Sequence, residues 1–206
     1  MVALHRPNNA APRLVAESGF LSAFAEVAGD ATPLLVLADW LDERGHDVFA
    51  ANVRRAAPVV AKRYARAAGC LDALLGVEPA RLMPFPVPPP DMGASRSRRQ
   101  MTELVRAALR PLKLPGVSVA RAWGWRNGGA DVVINLPRCD LWLDDGAGGG
   151  FAPPWGLSSA DVVRAGVLAF TAVMPALFPD EAPRLAHDDG ESFETHFWRV
   201  EIRPQS

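Results

Sequence analysis

No helix can pass through residues 84–90, whose sequence PFPVPPP contains five prolines. Each proline lacks the amide hydrogen of a helical hydrogen bond, and its ring clashes with the preceding turn. The run therefore predicts an extended, polyproline-like spacer. Together with the small, polar and then basic residues after it, this spacer predicts a linker over residues 81–100, between a domain over 1–80 and another over 101–206. The alternative is an ordered coil packed along one domain.

Composition limits the class of protein. The chain has 206 residues, 49% of them hydrophobic, and a formal net charge of −1. This length suffices for one ordinary domain or two small ones, and the near-neutral total gives no general argument for a nucleic-acid or membrane partner. The two cysteines, Cys70 and Cys139, are far apart and form neither a zinc motif nor a disulfide framework, so a reducing cytoplasm is predicted.

No membrane segment is predicted. The N-terminal residues lack the charged start and apolar core of a signal peptide. The longest apolar segment, Asp161 to Phe178, is interrupted by Arg164 and Pro175, which favours a buried helix over a bilayer span.

Charge is distributed unevenly along the chain. Lysines and arginines number nine in residues 1–92, six in 93–113 and seven in 114–206, against ten, one and twelve acids respectively. The neutral total therefore conceals a basic segment beside the predicted linker and an acidic C-terminal part.

Short helices are predicted throughout residues 1–80. The first is GFLSAFAEVA, which ends at Gly29, because glycine accepts the left-handed conformation found at helix ends. Asp30 or Thr32 is predicted to cap a second helix, which ends at Gly45. A third helix, VFAANVRRAA, follows, and Pro58 is predicted to begin a separate fourth helix.

Residues 18–57 resemble a known family. The sequence FLSAFAEVAGD, followed by TPLLVLADWLDERG and FAANVRR, is similar to the short repeat-companion domain of planctomycete bacteria. That family usually has an arginine where this chain has Leu34 and a tyrosine where it has Leu37. The resemblance implies a small helical module attached to varied partners, and it implies no enzymatic activity. The remainder of the chain resembles no family.

Four residues of this segment form a candidate partner-binding site: Asp39, Trp40, Glu43 and Arg44. Helical spacing places the acids and the indole on adjacent stripes, and tryptophan and arginine are common in protein interfaces. The structural alternative is that Arg54 or Arg55 of the following helix pairs with Asp39 while Trp40 packs in the seam. In this alternative, the role of Asp39 is structural.

The C-terminal part predicts a mixture of helices and strands. Apolar residues recur at helical spacing from Met101, and GVSVARAW and ADVVINL flank an Asn-Gly-Gly turn as in a hairpin. Ser158 and Asp161 resemble a capping box before an apolar helix that extends to about Leu177. A last strand, THFWRVEIRP, alternates in polarity. The predicted fold class is therefore α+β, with an N-terminal helical module and a small antiparallel sheet that has helices on one side.

Catalytic motifs are weak. The tract DDGAGGGF lacks the lysine and hydroxyl of a phosphate loop, and HDDGESFETH lacks the regular alternation and closing acid of a calcium loop. Neither cysteine has a local base, and no serine lies in a nucleophile elbow. No catalytic residue, metal ligand or cofactor is predicted, and an enzyme would need groups that are distant in sequence.

An arginine-rich segment gives an alternative site. Arg96, Arg98 and Arg99, with Arg106 and Arg110 on the next helix, form a candidate stripe for phosphate contacts. The competing interpretation is a solvated linker and an arginine-faced helix that neutralises the acidic C-terminal part.

The sequence thus favours a cytoplasmic, non-catalytic protein that binds an unidentified protein partner. A nucleic-acid-associated accessory protein is the alternative, and a hydrolase or metal enzyme is the third interpretation.

Overall fold

The chain forms two units. The computed structural model describes residues 19–20, 22–77, 97–122, 131–139, 143–144, 150–151, 157–171, 173–178, 183–185, 191–194 and 198–205. Unit 1 comprises Met1–Tyr64 and Asp140–Leu157, and unit 2 comprises Ala65–Cys139 and Ser158–Ser206. Most of the predicted linker, including its proline run, lies outside the described residues. The predicted division into domains over 1–80 and 101–206 therefore stays a prediction.

Unit 1 is built mainly from helices. Residues 22–26 are helical, α1 spans Thr32–Asp42, and α2 begins at Asp47 and ends at Leu75 in unit 2. The glycines predicted to end the first two helices, Gly29 and Gly45, have φ values of 97° and 72°, as expected for left-handed stops. Later in the chain, after strands β1 (Ser118–Arg121) and β2 (Val132–Leu136) of unit 2, the short antiparallel pair β3, Leu143–Asp144, and β4, Gly150–Phe151, belongs to unit 1.

A repeating apolar pattern creates the core of unit 1. On α1 the buried residues are Leu34, Leu37, Ala38 and Leu41, which recur every three or four positions and form one stripe. Phe24 is fully buried, and its ring centroid lies 5.2 Å from that of Tyr64 on α2. Aromatic and aliphatic burial of this kind is the main stabilising term for a small helical unit.

One helix prediction is wrong. The predicted third and fourth helices are a single α-helix, Asp47–Leu75, with Pro58 inside it. A proline in a helix interior removes one hydrogen bond and strains the turn before it. Burial of Val53, Ala57, Val60 and Tyr64 on both sides of Pro58 holds the helix together, because tertiary packing supplies most helical stability in proteins.

Unit 2 contains a mixed sheet. Its other helices are α3, Arg98–Leu109, continued by a 3-10 turn at Arg110–Leu112, then α4, Ser159–Thr171, and α5, Met174–Leu177. Within the described residues the sheet has five strands in the order β1-β2-β7-β6-β5. These strands are β1 (Ser118–Arg121), β2 (Val132–Leu136), β5 (Arg184–Leu185), β6 (Ser192–Glu194) and β7 (Arg199–Pro204).

The α+β fold class is confirmed, with one correction to the sheet. The predicted hairpin forms, since β1 pairs with β2 in antiparallel register, and β5–β6 and β6–β7 are also antiparallel. Strands β2 and β7 are parallel, so the sheet is not purely antiparallel. A parallel pair needs a long crossover. The chain between β2 and β7 supplies it, and α4 lies in that crossover and packs against both strands.

The core of unit 2 lies between this sheet and its helices. Helices α3 and α4 both pack against β2 and both pack against α5. The alternation predicted for the last strand is confirmed from Trp198 onward, where Trp198, Val200 and Ile202 are buried. His196 of that strand lies outside the described residues.

Two capping boxes fix the starts of the long helices of unit 2. The predicted box is confirmed, since Ser158 N and Oγ donate to Asp161 Oδ2 at 3.0 and 2.7 Å and Asp161 N donates to Ser158 Oγ at 3.1 Å. These bonds lower the pKa of Asp161. A second box joins Ser97 and Gln100 and starts α3 at Arg98, inside the predicted linker.

Candidate functional site

Two of the predicted partner-binding residues, Trp40 and Arg44, contact each other, and Trp40 also contacts Phe20. The Trp40 ring lies 6.0 Å from that of Phe20, measured between centroids. The Arg44 guanidinium carbon lies 3.9 Å from the Trp40 ring centroid, and Arg44 Nη1 donates to the Trp40 carbonyl at 3.4 Å. This cation–π stack holds the indole and the guanidinium against the helix end.

Asp39 has a structural partner. Arg54 Nη2 on α2 donates to Asp39 Oδ1 at 2.7 Å and lies 2.5 Å from Asp42 Oδ2. These two hydrogen bonds raise the pKa of Arg54, and the bond to Asp39 has the larger effect. The predicted pairing of Asp39 with an arginine is therefore confirmed, at Arg54. Because the Asp39 side chain remains 67% exposed, the pair fastens α1 to α2 at the surface.

The outward side of α1 also carries exposed aliphatic residues that sequence reasoning did not select. Leu35 is 41% exposed and Val36 is 46% exposed. One helical turn separates Leu35 from Asp39, and Val36 from Trp40. We call Leu35, Val36, Asp39, Trp40 and Glu43 the outer face of α1. The buried stripe of this helix could have revealed both aliphatics, since residues between its members must point outward.

The five predicted arginines of the nucleic-acid alternative divide into separate groups. Arg96 lies outside the described residues. Arg98 Nε donates to Asp131 Oδ1 at 2.7 Å, so its side chain is held at the start of β2. Arg106 donates from Nε and Nη2 to the Val119 carbonyl on β1, at 3.1 and 2.7 Å, and from Nη1 to Glu103 at 2.7 Å.

Arg99, Arg106 and Arg110 line a groove between α3 and β1. Two clefts of about 420 and 410 Å³ lie along it and have Arg106 in common. The first is lined by Arg99, Thr102, Glu103, Arg106, Ala120 and Arg121. The second is lined by Arg106, Leu109, Arg110, Lys113, Leu114, Val117, Ser118 and Val119. We call this the α3–β1 groove.

Two cations of the α3–β1 groove were missed in the sequence. Lys113 follows the 3-10 turn with φ 48° and ψ 40°, a left-handed conformation that is uncommon outside glycine. Its position continues the helical stripe of arginines by three residues, a signal that the sequence contained. Arg121 comes from β1, and only the tertiary fold brings it to α3.

The cysteines are buried. Cys70 is fully buried, and burial raises the pKa of its thiol to about 11. The thiol is therefore almost entirely protonated at neutral pH, and it is the thiolate that acts as a nucleophile. Cys139 N–H donates to Ser159 Oγ at 3.0 Å, which ties the end of the β2 segment to the start of α4.

The described residues offer no cluster of three or more histidine, cysteine, aspartate or glutamate side chains suited to a metal ion. Most of DDGAGGGF and of HDDGESFETH lies outside those residues. In the same part of the chain, no helix is both long enough and apolar enough to span a bilayer.

Comparison with known proteins identifies no relative. No protein-family model matches the chain. No curated protein matches it, and no solved structure does. The resemblance of residues 18–57 to the repeat-companion domain therefore stays a prediction.

Proposed function

We propose that this chain is a non-catalytic protein-binding module whose partner docks on the outer face of α1. The observation that carries the proposal is the exposure of Leu35 and Val36 beside the Trp40–Arg44 stack. These aliphatic side chains contribute to no core in the described part of unit 1. Exposed apolar side chains next to an ordered tryptophan and arginine are typical of interface centres.

The chemistry of this face indicates the kind of partner. Asp39 lies one helical turn from Leu35, and Glu43 lies one turn further along the chain. Asp39 keeps most of its side chain in solvent despite its bond to Arg54. A partner with apolar side chains flanked by lysine or arginine would match both features. The proposal includes a repeat-companion-type module over residues 18–57 and a cytoplasmic location, which two buried cysteines that form no disulfide support.

Site-specific photocrosslinking tests the docking surface. A photoreactive residue is placed at Leu35 in the full chain, and its matched control is placed at Val59 on α2, which is exposed to a similar degree, 52%. In native lysate treated with nuclease, we expect one defined protein to crosslink from position 35 and not from position 59.

Affinity for the crosslinked protein then tests the energetic role of the face. Val36→Asp should weaken binding about tenfold or more, whereas Val59→Asp should leave the Kd unchanged. Crosslinks of equal yield from positions 35 and 59, or none at position 35, would contradict the proposal. Circular dichroism of both variants shows that each is folded.

A further inference from the structure

The α3–β1 groove concentrates positive charge on one line. Arg99, Arg106 and Arg110 are spaced by seven and four residues, which places them on one side of α3. Lys113, which follows the 3-10 turn, lines the same cleft as Arg110. Arg121 joins them from β1. Among the residues that line the two clefts, the single acid is Glu103, which already bonds to Arg106. The groove therefore has a strongly positive potential in a chain of net charge −1.

Three of the cations in the groove are not held by an ion pair among the described residues. Arg98 and Arg106 have structural partners in unit 2. In contrast, Arg99, Arg110 and Lys113 are exposed and form no ion pair within the part of the chain that the structure describes. Placing several like charges side by side opposes folding, so an anionic ligand would relieve their mutual repulsion.

The arrangement of Arg106 selects between two kinds of anionic partner. Strand β1 lies at the edge of the sheet, where an acidic peptide could add as a further strand. The carbonyl of Val119 at this edge already accepts two hydrogen bonds from the Arg106 guanidinium. Because Arg106 covers the edge of a four-residue strand, strand addition is blocked there, and a ligand that needs only side-chain cations is favoured.

We propose that the α3–β1 groove binds the phosphodiester backbone of single-stranded nucleic acid. From Arg99 to Arg110 the helical stripe extends about 16 Å, which exceeds the reach of one phosphate and matches a chain of them. A flexible single strand can adapt its backbone to clefts of about 410 and 420 Å³, whereas a duplex is stiff on this length scale.

The second cleft also has an apolar part. Leu109, Leu114, Val117 and Val119 line it together with Arg110 and Lys113. A base whose phosphate is held by these cations can contact these apolar side chains. Contacts from lysine and arginine to phosphates carry no sequence information. We therefore expect binding with little sequence preference.

Fluorescence anisotropy with a labelled oligothymidine of about 15 nucleotides tests the proposal on the full chain. If Arg99, Arg110 and Lys113 each contact one phosphate, the slope of log K against log salt is about −2 for a single strand. Raising salt from about 50 to about 200 mM should then weaken binding about 20-fold. The variant Arg99→Ala, Arg110→Ala, Lys113→Ala should reduce the slope to near zero.

A matched control variant removes the same charge elsewhere. Lys62→Ala, Arg63→Ala, Arg164→Ala changes three exposed cations outside the groove and should retain the parent slope. Single variants Arg99→Ala and Arg110→Ala should each reduce the slope by about 0.7, which keeps the test decisive if the triple variant is poorly folded.

Several results would overturn the proposal. One is the absence of binding at low salt, and another is an equal loss of affinity in the groove and control variants. Tighter binding of an acidic peptide of equal charge would instead assign the groove to a protein partner, and equal competition by a mononucleotide would assign it to a small phosphate ligand. None of these results bears on the outer face of α1, which contributes no residue to the groove.

Discussion

Arg98 and Arg99 are adjacent in the sequence, but their side chains have different surroundings. Arg98 bonds to Asp131, whose side chain is 15% exposed, whereas Arg99 faces the α3–β1 groove. Asp131 Oδ2 also accepts from Arg199 N at 3.1 Å, and Asp131 N donates to the Arg199 carbonyl at 2.9 Å. One carboxylate thus joins the first turn of α3 to the starts of β2 and β7.

Replacement of Asp131 tests this junction. Asp131→Ala should lower the free energy of unfolding by about 1–3 kcal/mol, because it removes the acceptor for a charged donor and for a backbone N–H. Asp131→Asn should lower it less, since the amide oxygen can still accept one of these bonds. Urea unfolding measures both. An alanine variant as stable as the parent would show that the junction contributes little.

The raised pKa of Cys70 predicts slow thiol chemistry. At about pH 8 the thiolate fraction of a group with pKa about 11 is ~100-fold lower than for a thiol of pKa 9.0. Alkylation of Cys70 in the folded chain should be slower by at least this factor than in urea, and peptide mass spectrometry separates it from Cys139. Equal rates in the two states would contradict its burial.

The sign of the associated pH dependence follows from the direction of the shift. A thiol with a higher pKa in the folded chain than in the unfolded chain stabilises the fold fully below pH 9. This contribution is lost as pH rises from 9 towards 11, because only the unfolded chain ionises readily there. Cys70→Ala, which lacks the titrating group, should lose less stability over the same pH range.

At the scale of elements, two helical glycines have opposite surroundings. A Cβ on Gly166 of α4 would lie 2.6 Å from Leu136 Cδ1 on β2 and 3.7 Å from Ile202 Cγ2 on β7. A Cβ on Gly69 of α2 would meet nothing closer than Pro115 Cγ at 3.9 Å. Gly166 therefore permits close approach of a helix to the sheet, and Gly69 has no such role.

The same substitution should have opposite effects at these positions. Gly69→Ala should stabilise the protein by about 0.5–1 kcal/mol, since alanine restricts the unfolded chain and favours the helix. Gly166→Ala brings the same stabilisation from the restricted unfolded chain, but it overpacks a buried contact, which costs about 1–3 kcal/mol. The net change is therefore a destabilisation of ~1 kcal/mol. Paired melting curves measure both changes. Stabilisation by Gly166→Ala would show that Leu136 moves aside freely.

The sequence predicts elements best where the chemistry is local. The Ser158–Asp161 box, the left-handed glycines and the alternation of Val200 and Ile202 were all visible in short windows. The Ser97–Gln100 box was equally visible, but the basic character of its surroundings favoured a linker. Pro58 and the parallel pairing of β2 with β7 could not be predicted in this way, because distant packing overrides local preference in both.

At the scale of the whole molecule, the two proposed surfaces differ in how far the sequence reveals them. The outer face of α1 lies on one helix, and helical spacing alone predicts its members. The α3–β1 groove combines a stripe on α3 with Arg121 on β1, and Arg106 has a structural role that only the fold shows. A site formed by two elements needs a tertiary arrangement that a single sequence does not specify.

The two surfaces should also act independently. They share no residue, and substitutions without shared partners are usually additive. Val36→Asp should weaken the protein complex about tenfold or more and leave the salt slope for oligothymidine near −2. Arg99→Ala, Arg110→Ala, Lys113→Ala should reduce that slope and leave the crosslink from position 35 at parent yield. If either variant changed both measurements while its circular dichroism spectrum stayed unaltered, the protein and the nucleic acid would be coupled ligands, with a coupling free energy equal to the excess over additivity.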